Sequence, residues 1–148
     1  MNVHMVAKAM FFDTKKVIDV VDRATRKVLS KFGAYVRTAA KSSIRKRKAI
    51  SAPGQPPSSH AGHLKRLIYF GFDSDRRSVV IGPVPFKQGE APALLEQDHV
   101  PGTMRRVARF DRKRGRRRVM TYRARPFMGP AFEREKAKLP ALWANSIK

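Results

Sequence analysis

Three prolines and a glycine fall within five residues, Pro53-Gly54-Gln55-Pro56-Pro57. They forbid helix there and set an extended path. The stretch leads into Ala61-Gly62-His63-Leu64-Lys65-Arg66-Leu67-Ile68. A second segment, Ala124-Arg125-Pro126-Phe127-Met128-Gly129-Pro130-Ala131-Phe132-Glu133, places its prolines to end a strand and then start a helix. Gly54, Pro56, Pro57, Gly62 and Leu64 form the first stiff joint, and Arg125, Pro126, Phe127 and Pro130 the second. Joints this specific in a small basic chain imply a part that presents fixed surfaces to its neighbours.

At 148 residues the chain reads as one domain, long enough to bury one core. Its 42% apolar content is that of a globular protein. No run of 18 apolar residues occurs, so no membrane partner is expected. Met1 to Phe12 lacks the pattern of a signal peptide. The absence of Cys removes disulfides, thiolate metal sites and Cys nucleophiles, and fits a reducing compartment. The net charge of +22 is the strongest compositional constraint. Self-repulsion of that size calls for polyanions or acidic partners.

Residues 1–13 form an N-terminal arm, and the spacing predicts a helix over 14–48. Val17, Val21, Ala24, Val28, Phe32, Tyr35 and Ala39 follow steps of three and four, with Val20, Val36 and Ile44 widening the stripe. Asp13 or Thr14 is the expected cap, and Lys41 and Arg45 to Lys48 complement the helix C-terminus. Gly33 sits mid-helix, which implies a close neighbour. A Pro/Ser/Gly linker spans 49–62. Residues 63–101 then hold a hairpin, with strands over Leu64–Phe72 and Ser78–Gly82, and a short helix over Ala91–Gln97. Residues 102–118 read as a basic loop. Residues 119–148 give a third strand, Val119–Arg123, and a helix begun by Pro130 and kinked or split by Pro140. Phe132, Leu139, Leu142, Trp143 and Ile147 are its expected buried face, with Phe127 and Trp143 as anchors. The fold class is α+β: long N-terminal and C-terminal helices on a small mixed or antiparallel sheet, with an extended basic loop.

That loop carries nine basic residues and one acid, Asp111, between Arg105 and Arg118. Arg105, Arg106, Arg109, Arg112, Lys113, Arg114, Arg116, Arg117 and Arg118 are the candidate contacts to DNA or an acidic partner. Guanidinium forks match phosphate oxygens, but such contacts carry no base sequence. A segment so charged buries too little to order itself, so mobility without a partner is expected. Val107 and Phe110 allow part of it to be a strand or ribbon.

Catalysis reads poorly. His60 and His63, with Asp98 and His99, lie in loop sequence without a metalloprotease pattern. Glu133-Arg134-Glu135-Lys136 is explained by charge pairing along a helix. No phosphate-cradling glycine loop or Gly-x-Ser-x-Gly motif occurs. The expectation is a protein that is not an enzyme and takes no cofactor or metal.

The two joints, with Ala91-Pro92-Ala93-Leu94-Leu95-Glu96 between them, resemble the tail-completion or neck proteins of long-tailed bacteriophages, minor tail components. That family shows a long N-terminal helix, then G-x-P-P with T-G-x-L-+-x-S-I, then Y-A-x-x-L-E-x-G, then A-R-P-F-x-x-P-A. Gly54, Pro56, Pro57, Gly62, Leu64 and Ile68 match the first pattern, with Ala61 in place of Thr. Leu95 and Glu96 match the second, with Pro92 for Ala and Gln97-Asp98 where a Gly is expected. The last is complete, and the likeness runs in order over residues 15 to 148. The resemblance implies a structural virion protein at the head–tail junction, made in the host cytoplasm. It also implies a homo-oligomeric ring, six-fold or twelve-fold, between head-connector and tail proteins, with DNA in the channel as a further partner. The competing reading is a protein that binds nucleic acid without sequence specificity.

Overall fold

The computed structural model describes residues 13–84, 91–96, 104–111, 115–144 and 146. It is α+β: a long N-terminal helix, two separate antiparallel hairpins and a helical C-terminal segment. Among the described residues no helix is long and apolar enough to cross a membrane.

Helix α1 spans Thr14–Ser43, and the Asp13 side chain accepts from the Lys16 N–H at 3.1 Å to cap its first turn. Ala24, Val28, Phe32, Val36, Ala39 and Ala40 are buried, whereas Val17 and Val21 at the start of the expected stripe are exposed. The helix ends at Ser43, earlier than the sequence predicts. Ile44 turns to extended backbone (φ −81°, ψ 115°) and is fully buried. The Ser42 and Ser43 hydroxyls bond back to the carbonyls of Ala39 and Ala40, and Arg45 forms a parallel bridge with Ser58. Burying Ile44 and pairing with the linker outweigh another turn of helix. Arg45 to Lys48 therefore lie beyond α1, and of the expected C-terminal cations only Lys41 is in its last turn.

The linker is built around a turn. The Gln55 N–H donates to the Ala52 carbonyl, Pro53 fills the second position, and Gly54 has φ +77° at the third. This is the arrangement of a type II turn. Residues expected to begin the first strand instead form a helical turn, α2, over His63–Arg66. It follows the left-handed Gly62 (φ +78°) and buries Leu64.

Strand β1 (Ile68–Asp73) pairs antiparallel with β2 (Ser78–Pro83), Ile68 opposite Pro83 and Asp73 opposite Ser78. Asp73 organises the turn by accepting from the N–H groups of Asp75 and Arg76. Burial alternates at the start of β1: Ile68 is buried, while Tyr69 is exposed. A Cβ on Gly33 would stand 2.8 Å from both the Phe70 ring and Val79 Cγ2, so only glycine lets α1 lie this close to the sheet.

The short helix α3 covers Ala91–Glu96. The basic segment then departs from the expected loop. Met104–Asp111 is strand β3 and Arg116–Arg123 is strand β4, eight residues each, paired from Met104–Arg123 to Asp111–Arg116. Gly115, at φ +60°, serves the turn. Val107, Phe110, Val119, Thr121 and Tyr122 supply β-propensity, and the ladder satisfies backbone groups that a loop would leave to water.

Helix α4 spans Met128–Lys136, with Pro130 in its first turn, and α5 spans Leu139–Trp143. Pro140 stands at the start of α5, splitting the C-terminal helix as the sequence predicts. The buried face differs from expectation. Ala131 and Glu135 are buried, while Phe132 and Trp143 are each 39% exposed and Ile147 lies outside the described residues. The Phe132 ring still meets Phe32 edge-on, with centroids 5.7 Å apart. Phe127, fully buried with Ile44, Ile68 and Val36, is the anchor; Trp143 is not.

Gly33→Ala tests the contact between α1 and the first hairpin. Helix propensity alone would favour Ala by about 1 kcal/mol. Overlap with Phe70 and Val79 should reverse that and lower stability by about 1–2 kcal/mol. A urea midpoint equal to or above that of the parent would contradict this packing.

Candidate functional site: the motif junction and the basic ribbon

The three segments that carry the resemblance meet in space. The Gly54 N–H donates to the Ala124 carbonyl at 3.0 Å, and the Arg125 Nε donates to the Ser51 carbonyl at 3.0 Å. The first joint is thereby fastened to the second. The Arg125 N–H also donates to the Leu95 carbonyl at 3.0 Å, which ties in α3.

Glu96 completes the junction. Its carboxylate accepts from the N–H groups of Phe127 and Met128 at 2.6 Å each, and from that of Gly129 at 3.4 Å. These are the unsatisfied donors at the start of α4, where the helix dipole also favours negative charge. Phe127, the residue before the helix, has no side-chain oxygen to serve as a cap. A carboxylate distant in sequence does so instead.

Pro57, Leu64 and Phe127 are buried at the joints, and Gly54 and Gly62 provide positive φ. Pro56, Arg125 and Pro126 are half-buried and Pro130 is exposed. Beside the junction lies an apolar cavity of about 550 Å³. Val36, Val79, Ile81, Met128 and Phe132 line it, with Glu96 and Glu133 in its wall.

Glu135 is a second organising acid, on the buried face of α4. Lys138 Nζ lies 2.5 Å from its Oε2 and Arg134 Nε 3.2 Å from its Oε1. The hydrogen bond and charge of Lys138, aided by Arg134, hold the carboxyl below the usual carboxylate range against the opposing effect of burial. The pairing that sequence spacing suggests between Glu133 and Lys136 is present at 3.6 Å, on the surface.

The basic ribbon gathers most of the candidate contacts. Arg105, Arg106 and Arg109 fall on β3, and Arg116, Arg117 and Arg118 on β4, with Arg109 opposite Arg118 in the ladder. Arg112, Lys113 and Arg114 lie outside the described residues. Arg116, Arg117, Val119, Thr121 and Arg123 are exposed. Like charges opposed across a ladder destabilise it, and a lone two-stranded ribbon is marginal. Among the described residues no group that could hold a metal forms around His60 and His63. Asp98 and His99 lie outside them.

Comparison with family models, curated proteins and solved structures finds no match to this chain.

Two outcomes check the acids. Glu96→Ala leaves the α4 donors without their acceptor and should cost about 1–3 kcal/mol in urea unfolding, with Glu96→Gln costing less. Equal stability of Glu96→Ala and the parent would remove the cap from the account. For Glu135 the folded carboxyl titrates below its unfolded value, so its contribution is complete above the ordinary carboxylate range. It is lost as pH falls through the folded value. Glu135→Gln should therefore flatten the acid side of a plot of melting temperature against pH. An unaltered acid limb would contradict the pairing.

Proposed function

We propose that this chain is a structural protein of the phage head–tail junction, a subunit of a ring that joins the head connector to the tail. The observation that supports this reading is the convergence of the three motif segments. Gly54 with Ala124, Arg125 with Leu95, and Glu96 with Phe127 and Met128 are contacts between positions belonging to different motifs, and Arg125 also binds Ser51 just before the first of them. Motif residues that interlock form one structural unit, a junction that fixes the linker, α3 and the start of α4 to one another. A closed ring needs two different patches on each subunit, and a fixed junction suits a part that must hold two such patches in register.

The second reading, nucleic-acid binding without sequence specificity, draws on the exposed arginines of the ribbon. The two readings are compatible where a ring encloses DNA.

Native mass measurement on the full chain, alone and with head-connector and tail proteins, tests the assembly. Ring-sized species that require the intact junction are expected. A monomer under all these conditions would overturn the reading. Replacing Arg116, Arg117 and Arg118 with Ala should preserve the melting transition. If the ribbon grips DNA, the variant should also flatten the fall of log affinity with log salt by up to ~0.9 per lost phosphate contact. An unchanged slope would free the ribbon from that role.

A further inference from the structure

A second cationic surface lies on the body of the fold, away from the ribbon sequence. Arg37 and Lys41 are one helical turn apart on α1. The Arg37 guanidinium carbon stands 5.9 Å from the centre of the Tyr69 ring on β1, and the Lys41 ammonium 5.8 Å from it. Arg37 is held in place by its Nε, which donates to the Ile68 carbonyl at 3.0 Å. Tyr69 is 50% exposed, so the aromatic surface between the cations is open to solvent. Lys65, on α2, brings a third positive charge to bear on Lys41.

Among the described residues, no carboxylate pairs with Arg37, Lys41 or Lys65. The ion pairs among the described residues lie elsewhere: Asp13 with Lys16, Asp22 with Arg77, Glu133 with Lys136, and Glu135 with Arg134 and Lys138. The cost of this clustering shows at Lys41, whose ammonium is disfavoured by burial and then by the charges of Arg37 and Lys65. Farther along α1, Arg26 repeats the arrangement, 5.9 Å from the centre of the Phe72 ring. Arg26, Arg37 and Lys41 thus each set a cation of α1 over an aromatic ring of β1.

We propose that Arg37 and Lys41, set over the Tyr69 ring, with Lys65 on the neighbouring α2, form a binding site for the phosphodiester backbone of nucleic acid. A tethered guanidinium, two flexible ammonium groups and an exposed ring are the elements by which proteins follow a phosphate chain without reading bases. The row of cations along the helix suits the repeating charges of a polyphosphate chain better than the isolated carboxylates of a folded protein. The site is independent of the ribbon and of the neck reading.

The test is acylation of lysines in the full chain, read by mass spectrometry, with and without a short duplex DNA. DNA should shield Lys41 and Lys65, and the shielding should persist in the Arg116→Ala, Arg117→Ala, Arg118→Ala variant. In a matching titration, Lys41→Gln with Lys65→Gln should reduce the slope of log affinity against log salt by up to ~1.8, ~0.9 for each phosphate contact removed. Equal reactivity of both lysines with and without DNA would overturn the site. So would shielding that vanishes in the ribbon variant. Shielding by polyglutamate as strong as that by DNA would assign the surface to acidic protein instead, and an unchanged slope would also count against it.

Discussion

A helix that begins with Phe127-Met128-Gly129-Pro130 carries backbone donors that its own sequence cannot satisfy. Glu96 accepts three of them, and much of the architecture follows from that one carboxylate. By capping α4 it holds α3 against the second joint, and the Arg125 N–H fixes the same helix through the Leu95 carbonyl. Arg125 also binds the linker through Ser51, so the chain leaving α1 is tied to the chain entering α4. Phe127 is buried beneath this knot, beside Ile44 and Ile68 in one core.

The charge balance follows the same pattern. Acids are scarce, 11 against 33 basic residues, and those with defined partners mostly organise the fold. Asp13 caps α1, Asp73 shapes the first hairpin turn, Asp22 pairs with Arg77, and Glu135 secures α4. With acids committed to internal tasks, positive charge remains at the surface on the ribbon and along the α1–β1 seam. Neutralisation from outside would then add stability by mass action, because a polyanion that binds only the folded form shifts the equilibrium toward it.

Periodicity and punctuation made the main elements legible. The spacing of apolar residues located α1, the two apolar runs ending at Phe72 and starting at Ser78 located the first hairpin, and Pro140 marked the break in the C-terminal helix. Gly33 signalled a close neighbour, which proved to be Phe70 and Val79. What failed was whatever depends on partners distant in sequence. Ile44 ends α1 because a core receives it, a fact its neighbours do not encode. Leu64 lies in a helical turn because Gly62, in a left-handed conformation, starts that turn at His63. The arginines at 105–118 read as a basic loop because their charge outweighed the β-propensity of Val107, Phe110 and Val119, which the ladder uses. Phe132 and Trp143 suggested a buried face by size, whereas the close approach of α4 to α1 buries small Ala131 and the paired Glu135. Glu96 belonged to a motif, but nothing local revealed that it serves another helix.

The start of α1 has a mechanical consequence. Burial along the helix begins at Ala24, while Val17, Ile18 and Val21 before it are exposed. From Ala24 back to Thr14, the first residue of the helix, is about 15 Å at 1.5 Å per residue. That length is held by backbone hydrogen bonds and not by the core, and the pair between Asp22 and Arg77 ties its base to the first hairpin. Because a helix transmits displacement along its axis, a push on this stretch would reach the packed turns at Ala24 and Val28 before any other part of the fold.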